Sequence, residues 1–282
     1  MTQAPTRPPT RTATLPPPPS KTQPATKIQF GKVAKNKSGH RVVIFGPGGI
    51  GKTTLACLAK GKTVAIDADE SLEKLAPQLA QVGADIPEVI PGVTDFKSMR
   101  AALQSSGWDG VQNIVFDTVT RIEQWCSDYT IATVPHEKGK KITRIEDYGF
   151  GKGLQHIFDT YLLFLADLDR HVRAGRNVFL IAHECVSNVP NPNGEDWIRW
   201  EPRLQNPNSG KASIRLFTKE WSDHVLFFGY DVIAKDGKGQ GYGSRTIYTA
   251  EKPFCMAKSR TASSLESIPI TFGESPWEQI LV

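Results

Sequence analysis

No apolar run in this 282-residue chain approaches the roughly 18–20 residues that a bilayer-spanning helix needs. The first residues alternate Pro, Thr and Arg and contain no apolar core, which is not the pattern of a secretory signal. Cysteine is sparse. Cys57, Cys126, Cys185 and Cys255 lie far apart, with no CxxC pair and no clustered histidine partners. That spacing argues against structural zinc and against a disulfide framework, and predicts reduced thiols. Acidic residues are missing altogether from residues 1–41, which hold eight bases: Arg7, Arg11, Lys21, Lys27, Lys32, Lys35, Lys37 and Arg41. The chain has 34 bases and 29 acids, so the remainder keeps 26 bases against 29 acids, about −3. The overall charge of +5 therefore belongs to the N-terminal arm, and gives the body no general character as a nucleic-acid binder.

Residues 1–26 contain eight prolines, too little apolar surface to offset the entropy of ordering. Residues 1–38 therefore read as a disordered, proline-rich basic tail. From Arg41 the texture changes. Short apolar runs at 41–45, 62–67, 113–117 and 177–182 read as strands, with a further short strand near Val89 and Ile90. They alternate with helical patterns over 53–59, 72–79, 95–103 and 153–172. Strands apolar on both faces and separated by helices imply a mostly parallel sheet covered on both sides. Residues 186–215 read as a long loop, and 223–250 as a hairpin turning at 236–239. The domain is expected to run over 39–274, leaving 275–282 as a short apolar C-terminal segment that docks on the chain's own core or, as the alternative, on a partner.

Gly46-Pro47-Gly48-Gly49-Ile50-Gly51-Lys52-Thr53 fits GxxxxGK[ST] and stands between a strand and a helix. Glycines let consecutive N–H groups point inward as a nest for phosphate, and the following helix adds its dipole. Thr54 extends this binding set. Lys52 would reach the β- and γ-phosphates of ATP, and Thr53 would hold Mg²⁺. Asp117 ends the strand 113–117, where a carboxylate supports the metal; capping a following helix is its other reading. Asp69 and Glu70 both stand where a general base for water would, and spacing does not choose between them. His183 follows the strand 177–182 and fits a sensor of the γ-phosphate or a structural histidine.

In order, these motifs resemble the RecA-like ATPases, closest to phage-encoded, single-domain members implicated in single-strand annealing. The P-loop, Ile66-Asp67-Ala68-Asp69, Val115-Phe116-Asp117 and Ala182-His183-Glu184 carry the resemblance, over about residues 40–272. It implies an α/β RecA-like P-loop NTPase fold with a C-terminal β-hairpin extension, ATP and Mg²⁺ as cofactors, and DNA-stimulated ATP hydrolysis. It also implies a homo-oligomer, with Lys258 and Arg260 reaching a neighbour's ATP, although the family's KNR is Lys258-Ser259-Arg260 here. Two loops would meet single-stranded DNA, through Lys138, Lys140, Lys141 and Arg144 in one and Arg199, Arg203 and Lys211 in the other. Trp197, Trp200 and Arg215 accompany the second loop. A single-strand-binding protein is a further candidate partner, and no membrane is. The expected compartment is the cytoplasm, the host cell's if the chain is phage-encoded. A nucleotide-gated module with negligible hydrolysis and a small-molecule phosphotransferase stay open as alternatives. The second would need an arginine pair and an acceptor pocket.

Overall fold

The structure, a computed structural model, describes residues 30–31, 38–208, 210–235, 238–261 and 265–282, with backbone alone over 232–242. The expected tail falls almost wholly outside these residues, as does part of the hairpin turn. The fold belongs to the second of two units, Met1–Lys35 and Asn36–Val282.

Six parallel strands make its centre: β1 (Arg41–Phe45), β2 (Thr63–Asp67), β3 (Glu88–Val89), β4 (Asn113–Asp117), β5 (Asn177–Ala182) and β8 (His224–Lys235). Across the sheet they run β8-β1-β5-β4-β2-β3. Antiparallel β9 (Lys238–Tyr248) and β11 (Ser267–Ile270) extend it beyond β8, and β10 (Lys258–Ser259) also pairs with β8. This is the mostly parallel, helix-flanked α/β sheet expected from the sequence, with the β8–β9 hairpin at its C-terminal side.

Side chains alternate between two cores because the strand repeat is two. Val43 and Phe45 face one, with α3 (Phe96–Gln104), α4 (Val119–Thr133) and α5 (Lys152–Arg173). Val42 and Ile44 face the other, with α1 (Lys52–Cys57), α2 (Leu72–Gln81) and α7 (Trp277–Ile280). Residues Ile157, Tyr161, Phe164, Leu165, Leu168 and Val172 give α5 its buried stripe at helical spacing. Helix starts follow from local chemistry. Asp95 and Ser98 form a capping box for α3, and the Thr118 hydroxyl accepts from Arg121 N at the start of α4. The C-terminal segment packs in cis: Trp277 donates Nε1–H to the Leu55 carbonyl at 2.7 Å and meets Phe179 edge-on.

Two expectations are corrected. Residues 186–215 are not a long loop but an antiparallel ribbon, β6 (Glu184–Val189) with β7 (Trp197–Pro202), followed by α6 (Ile214–Trp221). Charge hides it in the sequence. Glu201 is buried between Arg199, 2.7 Å away, and Arg215, so the ribbon's acids and bases satisfy one another internally. Likewise β9 begins at Lys238 rather than Ser244, its first half masked by Gly239, Gly241 and Gly243.

Candidate active site

Because β5 lies between β1 and β4, the carboxyl ends of three adjacent strands meet at one place, where open α/β sheets hold their ligands. The phosphate loop leaves β1 there, Asp117 ends β4, and His183 follows β5. Gly46 passes so close to β8 that a Cβ would stand 2.0 Å from the Phe228 carbonyl oxygen, and its φ is +152°. No other residue type fits that passage.

Thr53 Oγ1 donates to Asp117 Oδ2 at 2.7 Å, joining the loop to β4. Ser71 Oγ points at the same oxygen from 3.4 Å. Thr118, not Asp117, caps α4, which disposes of the capping reading of Asp117. Burial raises the Asp117 carboxyl to about 6; the Thr53 hydrogen bond opposes this, Asp69 and Asp67 add to it, and Lys52 subtracts. The Lys52 ammonium is buried, which lowers its pKa against the attraction of Asp117 and Glu184. It is folded back, donating to the Gly46 and Pro47 carbonyls at 2.8 Å each.

The structure separates the acids after β2. Asp67 accepts from Ser71 N and Leu72 N at 3.0 Å and so starts α2. Asp69 lines the cleft and stands 3.6 Å from His183 Nε2. Glu70 has a left-handed φ of +52° and, unlike Asp69, does not line the cleft, so the geometry favours Asp69 of the two candidate bases. His183 is held low, first by burial, then by the charges of Arg203 and Lys52, with Asp69 pulling the other way.

The cleft encloses about 330 Å³ between Gly48, Gly49, Gly51, Lys52, Thr53 and Thr54 on one side and Asp69, Asp117 and His183 on the other. A triphosphate with a divalent cation fits these residues. Cβ atoms built on Gly48 and Gly49 meet nothing within 4 Å, and the buried Thr54 hydroxyl has no partner among the described residues. Thr53 and Asp117 offer the oxygen ligands that Mg²⁺ requires.

Two residues escaped the sequence reading. Glu184 stands beside His183 with one buried oxygen unpartnered and its pKa raised by burial. Glu123, pushed up to about 7 by burial, accepts from Gln205 N at 2.8 Å. It lines a second cleft, of about 640 Å³, together with Arg121, Arg203, Asp69 and His183. Glu123 lies on α4, six residues beyond Asp117, and no motif in the sequence marks it.

The other candidates scatter. Lys138, Lys140, Lys141 and Arg144 are exposed between α4 and a short 3₁₀ turn at Ile145–Tyr148, and Lys211 is exposed before α6. Arg199 is not free for DNA: its side chain is 13% exposed and paired with Glu201 and Glu251. Trp200 stacks on Phe227. Lys258 and Arg260 are engaged in cis rather than projecting toward a neighbour. Lys258 Nζ donates to the Lys219, Glu220 and Ser222 carbonyls, and Arg260 to Asp223 and Glu220.

The sequence profile of the AAA domain matches residues 38–261, well over half the chain. The chain belongs to the AAA-domain family of P-loop ATPases. No curated protein matches this AAA-domain chain. Among solved structures it is similar to a KaiC-like protein from the hyperthermophilic archaeon Pyrococcus horikoshii OT3. The two are 14% identical, over 75% of this chain and 79% of that one, with a TM-score of 0.40. It is also similar to the RadB recombinase, at 14% identity over 75% and 80% of the chains, with a TM-score of 0.38.

Proposed function

We propose that this chain hydrolyses ATP and couples the cycle to the handling of single-stranded DNA. The hydrogen bond from Thr53 to Asp117 carries the first half of the reading, because it places a hydroxyl and a carboxylate together beside Lys52. Bound Mg²⁺ would neutralise charge on the β- and γ-phosphates. The loop N–H groups and Lys52 hold the triphosphate, and Lys52 must first leave its two carbonyls to do so. Asp69 takes the proton from the attacking water, and His183, 3.6 Å away, orients that carboxylate and stands where loss of the γ-phosphate is felt.

Support for DNA is local. The exposed bases at 138–144, with Lys211 and Arg203, suit phosphate neutralisation on a single strand. The resemblance to phage annealing proteins supports phage-type recombination by a homo-oligomer, alongside a single-strand-binding protein. A second reading, transfer of the γ-phosphoryl to a small acceptor, is favoured by the 640 Å³ cleft, whose Arg121 and Arg203 adjoin Asp69.

Turnover assays with and without oligodeoxythymidine test both. We expect Mg²⁺-dependent release of phosphate, stimulated by the oligonucleotide and lowered at least about 100-fold in Asp69→Asn. Turnover indifferent to single strands would sink the DNA half. Release that persists in Asp69→Asn would remove it as base. Binding without any turnover would favour the nucleotide-gated module, and phosphate appearing on an added small acceptor would favour the transferase.

A further inference from the structure

A phosphate loop that turns its N–H groups inward turns carbonyls outward, and each of those needs a donor. Two cations supply three of them here. Lys52 takes the Gly46 and Pro47 carbonyls, as described. The Ile50 carbonyl is taken by Arg245, on β9, whose Nη1 donates to it at 2.7 Å. That guanidinium is itself held between two rings, 5.4 Å from the centroid of Phe272 and 5.7 Å from that of Tyr230.

The point of attachment matters. Ile50 is fully buried in the core beside α1, and Gly51, the residue before α1, has a left-handed φ of +104° with no side-chain cap on the helix. A Cβ on Gly51 would come within 3.3 Å of the Arg245 guanidinium. The turn from loop to helix is thus fixed by one buried side chain on the inside and one arginine on the outside. Arg245 does not line the nucleotide cleft.

We propose that Arg245 is a positioning residue of the nucleotide site. It locks the Ile50 peptide so that the N–H groups of Gly51, Lys52 and Thr53 stay aimed at phosphate. Lys52 must abandon its carbonyls when nucleotide arrives; Arg245 keeps its own throughout, and so pre-organises the loop before binding. Without it, the Ile50 carbonyl loses its charged donor and the turn samples orientations that do not bind. The cost then falls on nucleotide affinity, and the β8–β9 hairpin becomes part of the nucleotide site without touching the nucleotide. The inference rests on the proposed ATP site.

The test is titration of a fluorescent ATP analogue with Mg²⁺ into wild type, Arg245→Met, Arg245→Lys and Phe272→Leu, with the thermal midpoint of each nucleotide-free protein. Removing a charged donor predicts a Kd raised by roughly 5–30-fold in Arg245→Met. Arg245→Lys, which keeps a cation but loses the planar stack, should recover part of it. If Arg245→Met does not fold, a several-fold rise in Phe272→Leu at an unchanged midpoint supports the proposal. Wild-type affinity in either Arg245→Met or, failing its folding, Phe272→Leu overturns it. So does a loss in Arg245→Met that only tracks a fallen midpoint and is not relieved by lysine. Wild-type protein that binds no ATP overturns the functional reading and this inference together.

Discussion

Asp117 is the one carboxylate at the site that the fold buries almost completely, at 4% exposure, and its pKa of about 6 records that burial. Its unfolded value is near 3.8, so between these pH values the folded chain binds more protons than the unfolded one. Stability is then greatest below the lower value and falls as pH rises through the upper one. Above pH 6 the nucleotide-free protein carries an ionised group in a site that disfavours charge. Asp117→Asn should therefore raise the thermal midpoint in EDTA at pH 7.5, with most of the gain gone at pH 4.5, and should abolish Mg²⁺-dependent turnover. Equal midpoints at pH 7.5 would show the charge to be better solvated than its burial implies. The same logic explains why the residue suits a metal: a cation at the Thr53–Asp117 pair replaces the missing solvation.

Helix α6 ends on carbonyls that two side chains from β10 and its following residue satisfy. Lys258 donates to those of Lys219 and Ser222 at 2.8 and 2.7 Å, placing a cation at the negative end of the helix. We expect Lys258→Met to cost about 1–2 kcal/mol in urea unfolding. A loss of turnover at unchanged stability would instead restore the trans-acting role read from the sequence. The contrast with the P-loop shows what was legible. Strands β1, β4 and β5 are continuous apolar runs, and α5 has a clean helical stripe, so all four emerged from patterning within a residue or so. The P-loop emerged because glycine spacing and backbone geometry are the same fact. The β6–β7 ribbon did not, because Arg199, Glu201 and Arg215 look like solvated charge until their partners are known. Asp69 and Glu70 were inseparable for the same reason: the left-handed backbone at Glu70 and the His183 ring beside Asp69 exist only in the fold. Arg245 lies 195 residues from Ile50, a distance no local pattern crosses.

Charge is divided unevenly along the molecule, and the division bears on how it would meet nucleic acid. Residues 1–38 hold seven bases and no acid, whereas 39–282 hold 27 bases and 29 acids. The body's exposed bases at 138–144 must therefore act against a slightly negative background, whereas the arm holds no acid at all. Each neutralised phosphate of a single strand contributes about 0.7 to the slope of log affinity against log salt. Removal of residues 1–38 should then weaken single-strand binding at low salt and flatten that slope by up to about 5. Turnover without DNA should stay within about twofold, because no element of the cleft lies before Gly46. A truncated chain with the full salt slope would place the contacts on the body, at Lys138, Lys140 and Lys141 first. Loss of turnover on truncation would move the start of the domain ahead of residue 39.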